Sequence, residues 1–184
     1  METSILPFVS QSRSVVEESA ATAKEIVANP SLISKFMGKL KAVLGWRGQP
    51  ILKQRVIWMF PFIFNIIELM FYKVVTRYWQ ENNVIPALNG IRATEKAMTE
   101  LFDGRENSDQ LVICTDFIKF DQSINHTIQG IGNRLMKYMF NRASHALLDA
   151  MYWIKYRIDM VCTYYVAYSG THGMGSGSGG TNAV

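Results

Sequence analysis

The run TDFIKFDQSI carries two aspartates, Asp116 and Asp121. Asp116 stands where an apolar stretch emerges, and Asp121 follows a short turn at the start of the next helix. Hard divalent cations take oxygen ligands, and Mg²⁺ is usually held by one or two carboxylates plus substrate phosphates. The pair therefore suits metal-assisted chemistry on a phosphate. The plainer alternatives are that Asp121 caps the following helix and Asp116 serves a turn.

Two further patterns bear on anions. In LKQRVIWMFP, Lys53 and Arg55 are two residues apart, which puts both side chains on one face of a strand. Two cations facing one way in an otherwise apolar strand fit an anionic ligand; the alternative is a solvated strand face. In GMGSGSGGTN, Gly175, Gly177 and Gly180 satisfy GxGxxG. A dinucleotide fold needs a complete βαβ unit after that motif, and a P-loop needs a lysine where Thr181 stands. Met174, Thr181 and Asn182 are unlike a flexible linker. A glycine-rich turn that opens a helix instead presents backbone N–H groups to a phosphate or a sugar edge.

The elements that must position these residues are mostly helical. Ser12 to Asn29 is expected as an amphipathic helix with Val16, Ala20, Ala23 and Val27 on one face and a capping box from Ser14 to Glu17. Asn29-Pro30 breaks it. Leu32 to Leu44 reads as a second, basic helix, and Gly45 to Pro50 as a loop. Ile51 to Met59 is expected as a strand. Pro61 then opens a long helix with Ile63, Ile66, Ile67, Met70, Phe71, Val74, Val75 and Tyr78 at helical spacing, a core-packing stripe. Ile91 to Phe102 reads as helix, ended by Asp103-Gly104, and Gln110 to Thr115 as a short buried strand. Gln122 to Asn141 and His145 to Val161 read as two helices, the second with a stripe of Leu147, Met151, Ile154 and Ile158. Thr163 to Tyr168 is strand-like. Helices outnumber strands, so the fold class is α+β.

Composition narrows the function classes. The 184 residues are 48% hydrophobic and 18% charged, enough for one ordinary core and unlike a disordered chain. The net charge of +4 suits a polyanionic partner. Cys114 and Cys162 lie far apart, which disfavours a disulfide framework, and His126, His145 and His172 are isolated, which leaves no zinc motif. The N-terminus lacks a signal-peptide pattern. Val56 to Tyr72 contains Pro61, Asn65 and Glu68, so it reads poorly as a membrane span.

The order of these motifs resembles motifs F, A and B of the viral RNA-dependent RNA polymerases: Lys53-Gln54-Arg55, then Asp116 to Asp121, then Ser176 to Thr181. "KFDQSI" and "GSGSGGTN" are characteristic of that family, and RVIWMFPFIFNIIELMFYKVV resembles the picobirnavirus type. The resemblance covers about Gly48 to Val184. It implies a helix-rich part of a right-hand polymerase: fingers over residues 1–109, a palm strand with motif A over 110–125, a fingers insertion over 126–163, and the return to the palm with motif B over 164–184. It implies nucleotidyl transfer onto RNA with Mg²⁺ or Mn²⁺, an RNA template, a primer or product strand and NTPs as partners, and action in a virion or the host cytoplasm, off the membrane. Asp116 would ligate metal and Asp121 would sense the ribose 2′-OH. Lys53 and Arg55 would meet the NTP, and Ser176, Gly177, Thr181 and Asn182 would shape the loop around the template–NTP pair. The Gly-Asp-Asp motif of the family is absent from the sequence, so the chain is expected to be a partial sequence, inactive alone. The rival classes are a non-enzymatic basic RNA-binding or helical interaction module and a Rossmann-type oxidoreductase fragment.

Overall fold

The computed structural model describes residues 13–49, 53–104 and 111–178. The N-terminal twelve residues, Ile51 at the start of the expected strand, Gln110, and Gly180, Thr181 and Asn182 of the glycine motif lie outside them. The chain divides into two compact units, residues 1–69 with 119–184, and residues 70–118.

The first unit is built on a mixed four-stranded sheet in the order β2-β1-β3-β4. Strand β1 (Lys41–Gln49) and β2 (Lys53–Met59) form an antiparallel hairpin with Val43 opposite Met59 and Arg47 opposite Arg55. Strand β3 (Asp159–Val161) runs parallel to the start of β1, with Lys41 paired to Asp159. Their side chains form an ion pair, and the lysine holds the Asp159 carboxyl below its usual range. Strand β4 (Ala167–Tyr168) returns antiparallel to β3.

Three expectations are corrected by this sheet. The second helix is short: α2 (Ile33–Met37) stops at Gly38, and residues 41–49, read as helix and then loop, are strand β1. Local propensity was overridden there by two hydrogen-bonding partners, β2 and β3. The helix expected to reach Val161 ends at Arg157, because Ile158 is extended and the next three residues pair with β1. Of Thr163 to Tyr168 only the last two residues are strand. Residues 162–166 form the hairpin turn, closed by Cys162 N–H to the Val166 carbonyl at 2.9 Å.

Helices supply the rest of this unit. Helix α1 (Arg13–Ala28) buries Ser19, Ala23 and Ile26, a face rotated from the expected one, and Ser14 lies inside it, one residue past Arg13. Pro61 precedes the long α3 (Phe62–Glu81), its carbonyl accepting from the Phe64 and Asn65 amides, so proline's missing donor costs nothing. Within this unit α3 buries Ile63, Phe64, Ile67 and Glu68. Helix α7 (His145–Arg157) buries the expected stripe of Leu147, Met151 and Ile154, and Ile158 just beyond is buried as well. The Lys155 ammonium reaches Glu68 of α3 at 3.2 Å, with both side chains almost wholly removed from solvent. The helix expected over Gln122 to Asn141 is two helices, α5 (Phe120–Ser123) and α6 (His126–Met139). The break falls at Asn125, whose side chain accepts from the Thr127 and Ile128 amides and caps α6.

The second unit holds the end of α3, a turn, and α4 (Ile91–Asp103). Gln80 Nε2 donates to the Leu88 carbonyl at 2.8 Å and Asn89 Nδ2 to the Gln80 carbonyl at 3.0 Å, tying the loop to α3. Gln110 to Thr115 was expected as a buried strand, but residues 111–115 have no regular structure, with Leu111 87% and Ile113 80% exposed. A strand needs a neighbour for its backbone donors and acceptors, and no described segment pairs with this one. No described helix is long and apolar enough to cross a membrane.

Candidate functional site

The glycine loop adjoins Asp121 and the strand that carries Arg55. The Met174 amide donates to the Asp121 carbonyl at 2.8 Å, and the Ser176 hydroxyl donates to the Val56 carbonyl of β2 at 2.9 Å. The Ser178 amide closes the turn onto the Gly175 carbonyl at 3.1 Å. Thus a few residues of one loop touch both Asp121 and the strand that carries Arg55.

The glycines make that approach sterically feasible. A Cβ on Gly173 would overlap the Asp121 carbonyl oxygen and lie 3.0 Å from Gln122 Cα. On Gly175 it would meet the Phe60 ring at 2.7 Å, and on Gly177 it would overlap the Trp58 carbonyl oxygen, 2.9 Å from the carbonyl carbon. The three glycines thus let the loop lie close to Asp121, Phe60 and Trp58. Gly180, Thr181 and Asn182 lie outside the described residues.

Asp121 sits in the first turn of α5. The N-cap of that helix is Lys119, in the left-handed region at φ 55°, so Asp121 is not the cap. Met174 also packs with Ile124 and Tyr156 in a small buried cluster, which seats the loop against α5 and α7. Asp116 belongs to the second unit; it is exposed, and its Oδ1 accepts the Phe117 amide at 2.8 Å. Among the described residues no group of three or more His, Cys, Asp or Glu gathers to hold a metal. A hard cation held by one or two carboxylates such as Asp116 or Asp121 needs substrate phosphates to complete its shell.

Arg55 is exposed on β2, and its cross-strand partner is the exposed Arg47. Like charges directly opposite each other on a sheet are destabilising, so this pair works against the hairpin unless an anion lies between them. Sequence reading missed Arg47 because GWRGQP was taken as a loop; only the register reveals the pair. Lys53 is the first residue of β2, paired with Gln49.

His172 was read as an isolated histidine, yet it adjoins the loop. Its ring stacks on Trp58 with centroids 4.0 Å apart and planes 24° apart. Its Nδ1 lies 2.7 Å from the Gly173 carbonyl and its Nε2 3.2 Å from the Ile158 carbonyl. Burial pushes its pKa below the ordinary value, against the two carbonyls, which favour the charged form.

In sequence and fold the chain is homologous to a stretch of a viral RNA-dependent RNA polymerase. The polymerase it matches is that of human picobirnavirus: over 149 residues, 77% of this chain, it is 41% identical to a protein described as a potential RNA-dependent RNA polymerase. The chain spans 28% of that relative's length. Two solved structures of a human picobirnavirus RNA-dependent RNA polymerase, one of them with its insertion loop deleted, superpose with a TM-score of 0.73 at 40% identity. They cover 78% of this chain, which spans 29% of the intact polymerase and 30% of the deletion mutant. No family model matches the chain.

Proposed function

We propose that the chain forms the nucleotide-handling part of an RNA-directed RNA polymerase. The observation that carries this reading is the glycine loop, hydrogen-bonded on one side to Asp121 and on the other to the strand of Arg55. The reaction joins an NTP to an RNA 3′-OH on an RNA template and releases pyrophosphate. Arg55, with Lys53 and the newly found Arg47, draws the triphosphate by charge, and guanidinium groups suit phosphate oxygens in a two-pronged contact. Asp121 accepts a hydrogen bond from the ribose 2′-OH, the group that separates RNA from DNA precursors. Ser176 and Gly177 fix the loop against β2, with Thr181 and Asn182 continuing it around the template–NTP pair. Asp116 is the carboxylate that would hold Mg²⁺ or Mn²⁺, which when bound activates the attacking hydroxyl and stabilises the leaving pyrophosphate.

In this proposal residues 1–109 are fingers, 110–125 the palm segment with Asp116, 126–163 a return to fingers, and 164–184 the loop leading back to the palm. The working place is the virion or the host cytoplasm. The test is template-directed NTP incorporation by the full-length protein carrying this segment, with and without Asp116→Asn. Incorporation by the wild type that the substitution abolishes with every divalent ion supports the reading. RNA binding with no incorporation by the wild type would favour a non-enzymatic RNA-binding module instead.

A further inference from the structure

We propose that His172 is a positioning residue, a clamp that sets where the glycine loop sits between β2 and Asp121. The inference rests on the polymerase reading for its effect on nucleotide, but the clamp itself stands on geometry.

The loop needs an anchor. Residues 173–178 contain three glycines, and their bonds include Met174 to Asp121, Ser176 to Val56 and Ser178 to Gly175. Glycine-rich backbone has the most conformational freedom to lose, so a fixed end limits where such a segment sits. His172 is the fixed end. Its amide donates to the Tyr156 carbonyl at 3.2 Å, and its carbonyl lies 3.4 Å from Gln129 Nε2, which also donates to the Ile124 carbonyl at 2.8 Å. Its ring stacks on Trp58 of β2 and faces the carbonyls of Ile158 and Gly173. Tyr168 completes the surround, edge-on to Trp58 with centroids 6.1 Å apart. One residue therefore joins β2, α6, the end of α7 and the loop's first residue.

The consequence is transmitted through the backbone. Trp58 is the residue whose carbonyl Gly177 packs against, so the residue whose indole holds the His172 ring also carries the backbone the loop rests on. A ring that leaves Trp58 frees the Gly173 carbonyl. That carbonyl is next to the Met174 amide, which holds Asp121. His172 touches no nucleotide in this account; it acts through the position of residues 173–178.

Three substitutions separate its contacts. His172→Phe keeps a ring on Trp58 but no donor, His172→Gln keeps a donor but no ring, and His172→Ala removes both. In amide hydrogen exchange on the 184-residue chain, His172→Ala is expected to speed exchange at residues 173–178 by about tenfold to a hundredfold, the loss of one or two modest contacts. The core of α6 and α7 should be unchanged, with Phe and Gln intermediate. In the full-length protein the same substitution should raise the KM for NTP about tenfold while kcat and RNA affinity change less. Unchanged loop exchange in His172→Ala would overturn the clamp. Equal acceleration throughout α6 and α7 would show an ordinary core residue and overturn it as well. Faster loop exchange with an unaltered KM would overturn the positioning role. If the wild-type full-length protein incorporates no nucleotide, the polymerase reading fails and the exchange measurement alone decides the clamp.

Discussion

Replacing Gly177 by alanine probes the contact on which the candidate site depends. The new methyl would overlap the Trp58 carbonyl oxygen and stand 2.9 Å from the carbonyl carbon. Non-bonded carbon atoms rest at about 3.5–4.0 Å, so the loop and β2 must separate by roughly 1 Å or more. The obstruction is backbone, which cannot rotate away as a side-chain tip would. Separation breaks the neighbouring Ser176 to Val56 bond, worth about 0.5–1.5 kcal/mol, and overpacking adds about 1–3 kcal/mol. The expected loss is therefore about 2–4 kcal/mol, read as a lower urea midpoint at unchanged slope. Two controls bracket it. Ser176→Ala should lose only the hydrogen-bond part. Gly130→Ala, in mid-α6 with nothing within 4 Å of the added methyl, should gain about 0.5–1 kcal/mol from helix propensity. A Gly177→Ala protein no less stable than Ser176→Ala would refute the packing of the loop on β2.

Other perturbations separate the roles further. In the full-length protein, Arg55→Ala should raise the NTP requirement about tenfold or more, the loss of one charge-assisted contact, with RNA affinity less affected; a collapse of template affinity at unchanged NTP dependence would make Arg55 an RNA-backbone contact. Asp121→Asn should shift NTP-over-dNTP selectivity by roughly 5- to 150-fold, the value of one sugar hydrogen bond, and unchanged selectivity in matched incorporation assays would remove the role given to that carboxylate. Lys155→Met should cost about 3–5 kcal/mol because it strands the buried Glu68, whereas Glu68→Met with Lys155→Met should recover that loss and even exceed the wild type by about 1–4 kcal/mol. Thermal melts of the singles and the double check this, and a double variant as unstable as Lys155→Met would contradict it. His172 binds a proton less readily when folded than its ordinary value of about 6.5 implies. Its contribution to stability is thus present above that value and lost as pH falls through the lowered folded one. Urea midpoints from pH 7.5 to 5 should fall more for wild type than for His172→Phe, and parallel curves would mean the ring titrates without consequence.

Helices were legible where periodicity and punctuation agreed. Pro61 at the start of α3, the Asp103-Gly104 stop of α4 and the stripe of α7 appear in the structure; of the α3 stripe Ile63, Ile67, Phe71 and Val75 are buried, whereas Met70, Val74 and Tyr78, expected on the same core face, are exposed. Strands were legible only where composition was extreme, as in β2. Strand β1 reads KAVLGWRGQ, with two glycines and no β-branched run, and its conformation comes from partners on both sides. The reverse case is LVICT, strand-like in every residue yet without regular structure, because β propensity expresses a fit to neighbours and no described strand adjoins it.

The candidate site divides along the same line. Residue types and order in the sequence pointed to Asp121, Arg55 and the glycine loop, since each motif is local. Their meeting is a property of the fold: Asp121 contributes its backbone carbonyl to the loop, and β2 contributes the carbonyls of Val56 and Trp58. Backbone groups carry no sequence signature, so no pattern of residues could have announced those contacts. The same holds for Arg47 and His172. An arginine between glycines and a lone histidine are unremarkable in one dimension. Register makes the first half of a like-charged cross-strand pair, and a stacked indole makes the second a link between sheet and loop. What the motifs supply is the chemistry of the side chains; how the chain around them is arranged depends on a loop whose glycines let it lie against β2 and whose neighbouring histidine stacks on Trp58.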